Sequence, residues 1–270
     1  PITADGNSTV SFVITAATTM AQGTLASLVV NASAGAYSVA DILELEVGAP
    51  AEVTIGNGTS TQSYPLDRYY VYSSHEAIYL ASEIDVPGAI KSIGFYKASG
   101  EDVNPIQETN IYMKHTTATS LSSGNYDLTG YTLVYSGSFP NDATSGWMEA
   151  DLDTRFEYNG IANLSILIIK GQQAWISAYP NWTYSSVGTA RARQSHSDNS
   201  QPTSLTASTN LPNLKLRIFQ SNPEDVFFPP QNLSASSSHQ SVSLSWQAPI
   251  SGTPTGFKVY RNSTPITTIT

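Results

Sequence analysis

Along residues 131–170 the apolar and polar positions fall into three successive strand patterns separated by turns. Over 132–136 and 148–152 the two kinds alternate, the period that lays one face of a strand on a core. Residues 164–169 lose that alternation. Leu164, Ile166, Leu167, Ile168 and Ile169 make a nearly unbroken, largely β-branched run, which predicts a central strand covered on both faces. Ser-Gly, Pro-Asn-Asp, Ser-Gly and Asn-Gly stand between the runs; Gly and Asn tolerate positive φ and Pro fixes φ, so each marks a turn. This stretch reads as the centre of one sheet, with the rest of the chain as further strands laid against it.

Upstream, Val10, Phe12 and Ile14 alternate with Ser11, Val13 and Thr15, and Leu28 and Val30 share one face of a second strand. Leu43, Leu45 and Val47 line one face of a third, with Glu44 and Glu46 on the other. Residues 1–50 therefore predict the C-terminal part of an immunoglobulin-like sandwich, too short for a whole one, whose apolar face needs a neighbour. Residues 51–221 read as one long β-unit, a jelly-roll β-sandwich. Its strands are expected at 69–72, 77–83, 89–96, 109–115, 132–136, 147–151, 165–170, 174–178 and 215–219, with turn signals at sandwich spacing. The irregular order of Ile90, Ser92, Ile93 and Phe95 predicts a bulge. Segments 117–131 and 185–212 are polar and read as long loops.

Composition narrows the class. Charged residues make up 12% of the chain, against roughly 25% in an average soluble protein. Ser, Thr, Asn, Gly and 15 Tyr carry its polarity, which suits an extracellular β-protein. A net charge of −9, with no basic run among 12 Lys and Arg, argues against nucleic acid and anionic membranes as partners. No apolar run approaches the ~18 residues that span a bilayer. The chain has no cysteine, so disulfides, thiolate zinc sites and cysteine nucleophiles are excluded. That absence points to a bacterial exported protein with cores large enough to dispense with disulfides. No signal peptide opens the sequence, so an exported protein would contain it as a mature or excised segment.

Several motifs carry a family likeness. IYLASEIDVPGAIKSIGFYKASG, IYMKHTT, VYSGSF, GWMEADLDTRFEYNGIANLSILI and LPNLKLRIF, over about residues 52–220, resemble a β-sandwich module of secreted bacterial proteins. Such modules accompany gingipain-like peptidases in Bacteroidetes-type bacteria. The resemblance implies a non-catalytic jelly-roll module used in adhesion, carbohydrate binding or spacing. Arg155 stands where typical members have Pro before Phe156, a departure that alters a turn or edge. Past a rigid 222–230 linker with Pro229-Pro230, residues 231–270 resemble the start of a fibronectin type III domain. There Leu233 and Ala235 would lie on the first strand, Val242, Leu244 and Trp246 on the second, and Phe257, Val259 and Tyr260 on the third. Only part of such a domain is present.

No catalytic residue can be nominated. His75, His115, His196 and His239 share no ligand-clustering spacing, and neither HExxH nor GxSxG occurs. Glu149, Asp151 and Asp153 alternate, so one strand face would carry three acids. Such a face is either solvated, or a Ca²⁺ site, or a glycosidase carboxylate set. Asp85, Glu101, Asp102, Asp127 and Asp142 fall in expected turns, where a structural Ca²⁺ could stitch loops. No other cofactor is expected.

Aromatic residues give the binding signal. Trp175, Tyr179, Trp182 and Tyr184 surround a Pro-Asn turn, with Arg191 close behind. The apolar faces of sugar rings pack on Trp and Tyr, and their hydroxyls find Asn, Asp and Arg. These five residues are the candidate ligand-binding set, and the competing reading puts the rings in the core. Tyr64, Tyr69, Tyr70 and Tyr72 form a second group. The expected role is adhesion or carbohydrate and substrate targeting, without catalysis, in a larger secreted or cell-surface bacterial protein. Its partners would be a glycan or surface polymer, other domains of the same polypeptide and further copies of the chain. A spacer or filament subunit exchanging strands at its ends also fits, as does an accessory region of a secreted peptidase or glycosidase. Fold analogy alone does not choose among them.

Overall fold

A computed structural model describes residues 11, 13–15, 20, 22–220, 231–238, 241–247, 256–261 and 264–269. Val10, Phe12, His239 and the 222–230 linker lie outside these described residues. The chain divides into two units, Pro1–Ala49 and Pro50–Thr270. In the first, β1 (Leu25–Ala34) and β2 (Tyr37–Glu46) form an antiparallel hairpin.

The second unit opens with β3 (Ala51–Ile55), β4 (Ser60–Gln62), β5 (Tyr72–Tyr79), the short helix α1 (Ala81–Ile84) and β6 (Gly88–Ser99). Next come β7 (Ile106–Thr116), β8 (Gly124–Asn125), β9 (Thr132–Phe139), β10 (Gly146–Tyr158) and β11 (Asn163–Lys170). β12 (Asn181–Ser186), β13 (Ala192–Ser197), β14 (Ser204–Ser208), β15 (Asn210–Pro212) and β16 (Leu214–Gln220) complete the sandwich. Beyond it β17 (Gln231–Ser238) pairs with β18 (Ser241–Gln247), and β19 (Phe257–Arg261) with β20 (Thr264–Ile269). Trp246 meets Phe257 edge-on at 5.4 Å.

Two seven-stranded antiparallel sheets make the body, so the all-β sandwich expected from the sequence is the fold. One sheet runs β15-β12-β6-β16-β3, with β10 also on β6 and β4 on β12. The other runs β8-β14-β13-β5-β11-β7-β9. Ile90, Ile93, Phe95, Met148, Leu214 and Leu216 of the first sheet bury against Tyr79, Ile111, Met113, Val134, Ile166 and Ile168 of the second. Each such side chain contributes roughly 1.5–3 kcal/mol when removed from water. The expected bulge in β6 exists: partner registers shift between Ser92 and Ile90 against both β10 and β16.

β11 is the central, doubly covered strand that its apolar run predicts. It pairs with β5 on one side and β7 on the other. On its outer face Tyr131, at the end of the 117–131 segment, covers the Ser165 end, while Ile169 lies toward an open groove. Tyr131 Oη donates to Glu76 Oε1 at 2.8 Å and lies 2.7 Å from Ser165 Oγ, while Arg193 Nε donates to Glu76 Oε2 at 2.8 Å. Arg193 also donates from Nη1 to the carbonyls of Ser122 and Gly124.

Five expectations change. The 69–72 run is irregular chain up to Tyr72, where β5 begins, because the Tyr70 and Val71 carbonyls accept from Lys170 Nζ instead of a neighbouring strand. The strands at 131–170 do not share one sheet: β9 and β11 lie in the second, whereas β10 crosses to pair with β6 in the first. The 77–83 strand ends at Tyr79, because Glu83 turns back to accept the Leu80 N–H at 2.8 Å and closes α1. The 174–178 segment is loop, its backbone hydrogen bonds going to neighbouring loops. Segment 185–212 holds β13, β14 and β15, since pairing satisfies its backbone although its side chains are polar.

Candidate functional site

Asp67 organises the chain between β4 and β5. Its buried carboxylate accepts Ser63 Oγ and the Tyr69 N–H, both at 2.8 Å, and lies 3.2 Å from His196 Nδ1. Tyr64 Oη lies 2.7 Å from the same nitrogen, and Tyr70 stacks on the imidazole with ring centroids 3.6 Å apart. Burial first, then the Asp67 charge, hold the Tyr64 phenol well above its ordinary pKa, so it keeps its proton. Deeper in, His75 stacks near Tyr64 at 6.1 Å and has no hydrogen-bond partner for either nitrogen among the described residues. Burial lowers its pKa to about 3.

The 171–180 loop runs alongside this segment. Gln173 N–H donates to Val71 O at 3.2 Å and Ile176 N–H to Arg68 O at 3.1 Å, while Arg68 Nη1 donates to Ala174 O at 2.7 Å. This zipper brings the two sequence clusters of aromatic residues into one. Tyr69 contacts Trp175 at 6.2 Å, Tyr179 at 5.1 Å and Tyr70 at 5.1 Å between ring centroids. Trp175 is 59% exposed and Tyr69 45%. Sequence reasoning put Trp175 and Tyr179 in the candidate set and Tyr69 in a separate aromatic group; that the two groups meet depends on partners distant in the chain.

Buried cations brace these loops. Arg68 pairs with the fully buried Asp102 carboxylate at 3.3 Å, and the Asp102 N–H donates to Ala178 O at 3.0 Å. Both flanks of Trp175 are thereby tied to one ion pair. Lys170 Nζ donates to Tyr70 O at 3.0 Å and Val71 O at 2.7 Å. Burial first, then the nearby Arg68 guanidinium, pull Lys170 down to about 8, so it remains protonated at neutral pH. Lys97 Nζ donates to Asp102 O at 2.6 Å, Asn141 Oδ1 at 2.8 Å and Ala143 O at 2.8 Å. A lysine ammonium thus fastens two of the turns, those of Asp102 and Asp142, at which the sequence left room for a structural Ca²⁺. Among the described residues no group of three His, Asp or Glu converges as a metal site.

The remaining candidates are placed elsewhere. Trp182 is not a loop residue: it lies on β12 with no exposure, packed against Phe95 and Phe139, and its indole N–H donates to Leu66 O at 3.2 Å. Arg191 is buried and forks onto Glu83 at 2.6 and 2.8 Å, which leaves no free guanidinium for a ligand. Tyr184 pairs across to Pro212 and Ser60, away from the platform rings. The three alternating acids are separated. Glu149 meets Lys215 and Arg217, Asp151 lies 4.0 Å from Lys91, and Asp153 accepts the Ser136 N–H. Asp127 accepts from Thr129 within its own turn, and Asp85 ends α1 with φ of 53°.

The site therefore offers an exposed aromatic surface on a rigid backbone, beside a histidine fixed by a buried carboxylate. No described helix is long and apolar enough to cross a membrane. No family profile, curated protein or solved structure matches the chain.

Proposed function

We propose that this chain is a non-catalytic, extracellular carbohydrate-binding segment of a larger secreted bacterial protein, of the jelly-roll kind its motifs resemble. The observation that carries the reading is Trp175, 59% exposed on a loop tied to the buried Arg68–Asp102 pair. A large ring left in water on a fixed backbone gives up little conformational freedom when it binds. Trp175 and Tyr69 then supply apolar faces for the C–H side of a sugar, and His196 stands beside Tyr70. The test is a glycan array probed with the full chain and with Trp175→Ala and Tyr69→Ala. Binding is expected to fall about tenfold or more in either variant and to survive EDTA, since lysines hold the loops. Undiminished binding by Trp175→Ala, or a folded protein that binds no glycan, would overturn the reading.

A second reading, self-association by strand exchange, draws on the β1–β2 hairpin. Its Leu25, Val29, Val30, Ile42 and Leu43 are exposed, and a two-stranded sheet alone is marginally stable with open edges. Light scattering that shows a monomer at every concentration would exclude it.

A further inference from the structure

On the outer face of the second sheet lies an open groove of about 650 Å³. Its floor is part of a cross-strand row in which Ser74 of β5 faces Ile169 of β11, Ile169 faces Asn110 of β7, and Asn110 faces Ser136 of β9. A bulge shapes the rim. Between the Ile106–Phe139 and Thr109–Gly137 pairs, β7 sets two residues, Gln107 and Glu108, against Ser138 alone. Glu108 takes a φ of 49°, in the left-handed region that such side chains seldom adopt. The 171–180 loop holds it there: Gly171 N–H donates to Glu108 O and Gln172 N–H to Glu108 Oε2, both at 2.8 Å. A Cβ on Gly171 would lie 2.5 Å from that carboxylate oxygen, so this approach requires glycine. Bulges re-aim side chains, and an outlier enforced by its surroundings marks a place where geometry is specified.

Around Ile169 the groove is lined mostly by uncharged polar residues. Gln107, Asn110, Ser136 and Ser138 line it with side-chain amides and hydroxyls. Glu108 is its one charged lining residue. Three chain segments lead from groove to aromatic platform and are fastened to one another. Val71 N–H donates to Asp198 Oδ1 at 3.3 Å, and Gln201 Nε2 donates to Ser73 O at 2.9 Å and Ser74 Oγ at 2.8 Å. Gln173, on the loop that carries Trp175, accepts the Gln107 N–H at 2.9 Å and donates to Pro105 O at 3.0 Å.

We infer that platform and groove form one extended site for a linear, neutral polysaccharide, an inference that rests on the carbohydrate reading above. Aromatic stacking grips one sugar without fixing its neighbours. The amide and hydroxyl groups of the groove match the hydroxyls of the next units, because each offers both donor and acceptor. Glu108 and the net charge of −9 oppose an acidic chain.

Calorimetry on the full chain would compare disaccharides with hexasaccharides of the cello-, malto-, manno- and xylo- series, with an oligogalacturonate as the acidic probe. The best neutral hexasaccharide is expected to bind about tenfold tighter than its disaccharide. The double variant Gln107→Ala/Asn110→Ala should lose that gain and keep disaccharide affinity. Gln107 is exposed, so Gln107→Ala alone serves if the double variant misfolds. Equal affinity for both lengths, abolished by Trp175→Ala, would overturn the extended site and leave the platform standing. Tighter binding of the oligogalacturonate would overturn the neutral assignment. No binding at either length would overturn both readings.

Discussion

Trp182 and Trp175 belong to one short aromatic stretch and do opposite things. Trp182 has no exposure; its ring meets Phe95 and Phe139 at 6.5 Å each, and Leu66 O takes its N–H. Trp175 is 59% exposed, and what is secured is its backbone, through Arg68, Asp102 and the neighbouring 67–71 segment. In one region the side chain is satisfied and holds the fold. In the other the main chain is satisfied so that the side chain can be presented. An aromatic cluster in a sequence therefore signals importance without saying which kind.

Substitution separates the two most sharply. Trp182→Ala is expected to cost about 3–5 kcal/mol in denaturant unfolding, the range for removing a buried aromatic ring. The Lys97 brace tests whether the presenting region depends on internal cations. Lys97→Met removes the donor from Asp102 O, Asn141 Oδ1 and Ala143 O, and a loss of about 1–3 kcal/mol should appear in the same assay. A neutral result would mean that the loops hold without it.

Acid extends the comparison to His75, buried beside Tyr64. The folded pKa of His75, about 3, lies below the roughly 6.5 of an unfolded chain. As pH falls through 6.5 the unfolded state alone takes up the proton, so stability present above 6.5 declines toward pH 3. Between pH 6.5 and 5 the loss should be about 2 kcal/mol, and His75→Phe should flatten that slope of the measured stability curve. The smallest effect belongs to Trp175→Ala, whose unfolding free energy should stay within about 0.5 kcal/mol of the parent while glycan binding falls. A large destabilisation there would erase the contrast between the two rings.

Much of the fold was legible because burial writes a periodic pattern. β11 announces itself through Leu164–Ile169, and β6, β7, β9 and β16 through runs that the structure lengthens without displacing. β13 and β14 were not legible. Their Ser, Gln, Thr and Arg side chains look like loop, yet pairing with β5 and with each other satisfies their backbones; Ala192 joins the core between the sheets and Leu205 is buried outside it. At the site, Trp175 and Tyr179 could be named from composition. The meeting of Tyr69 with Trp175 and the Gln107–Glu108 bulge could not, since each depends on a loop far along the chain.

By itself the sequence determined an all-β chain, where its most buried strand lies, and that aromatic residues crowd two short segments. Those properties are local: they follow from side-chain periodicity and turn residues within a few positions. Only the tertiary structure decided that β10 leaves its neighbours for the opposite sheet, that Trp182 is core and Arg191 is locked on Glu83, and that scarce lysines fill the interior as cations. Those outcomes depend on which distant groups can satisfy a buried charge or carbonyl, and a single stretch of chain does not contain its partners.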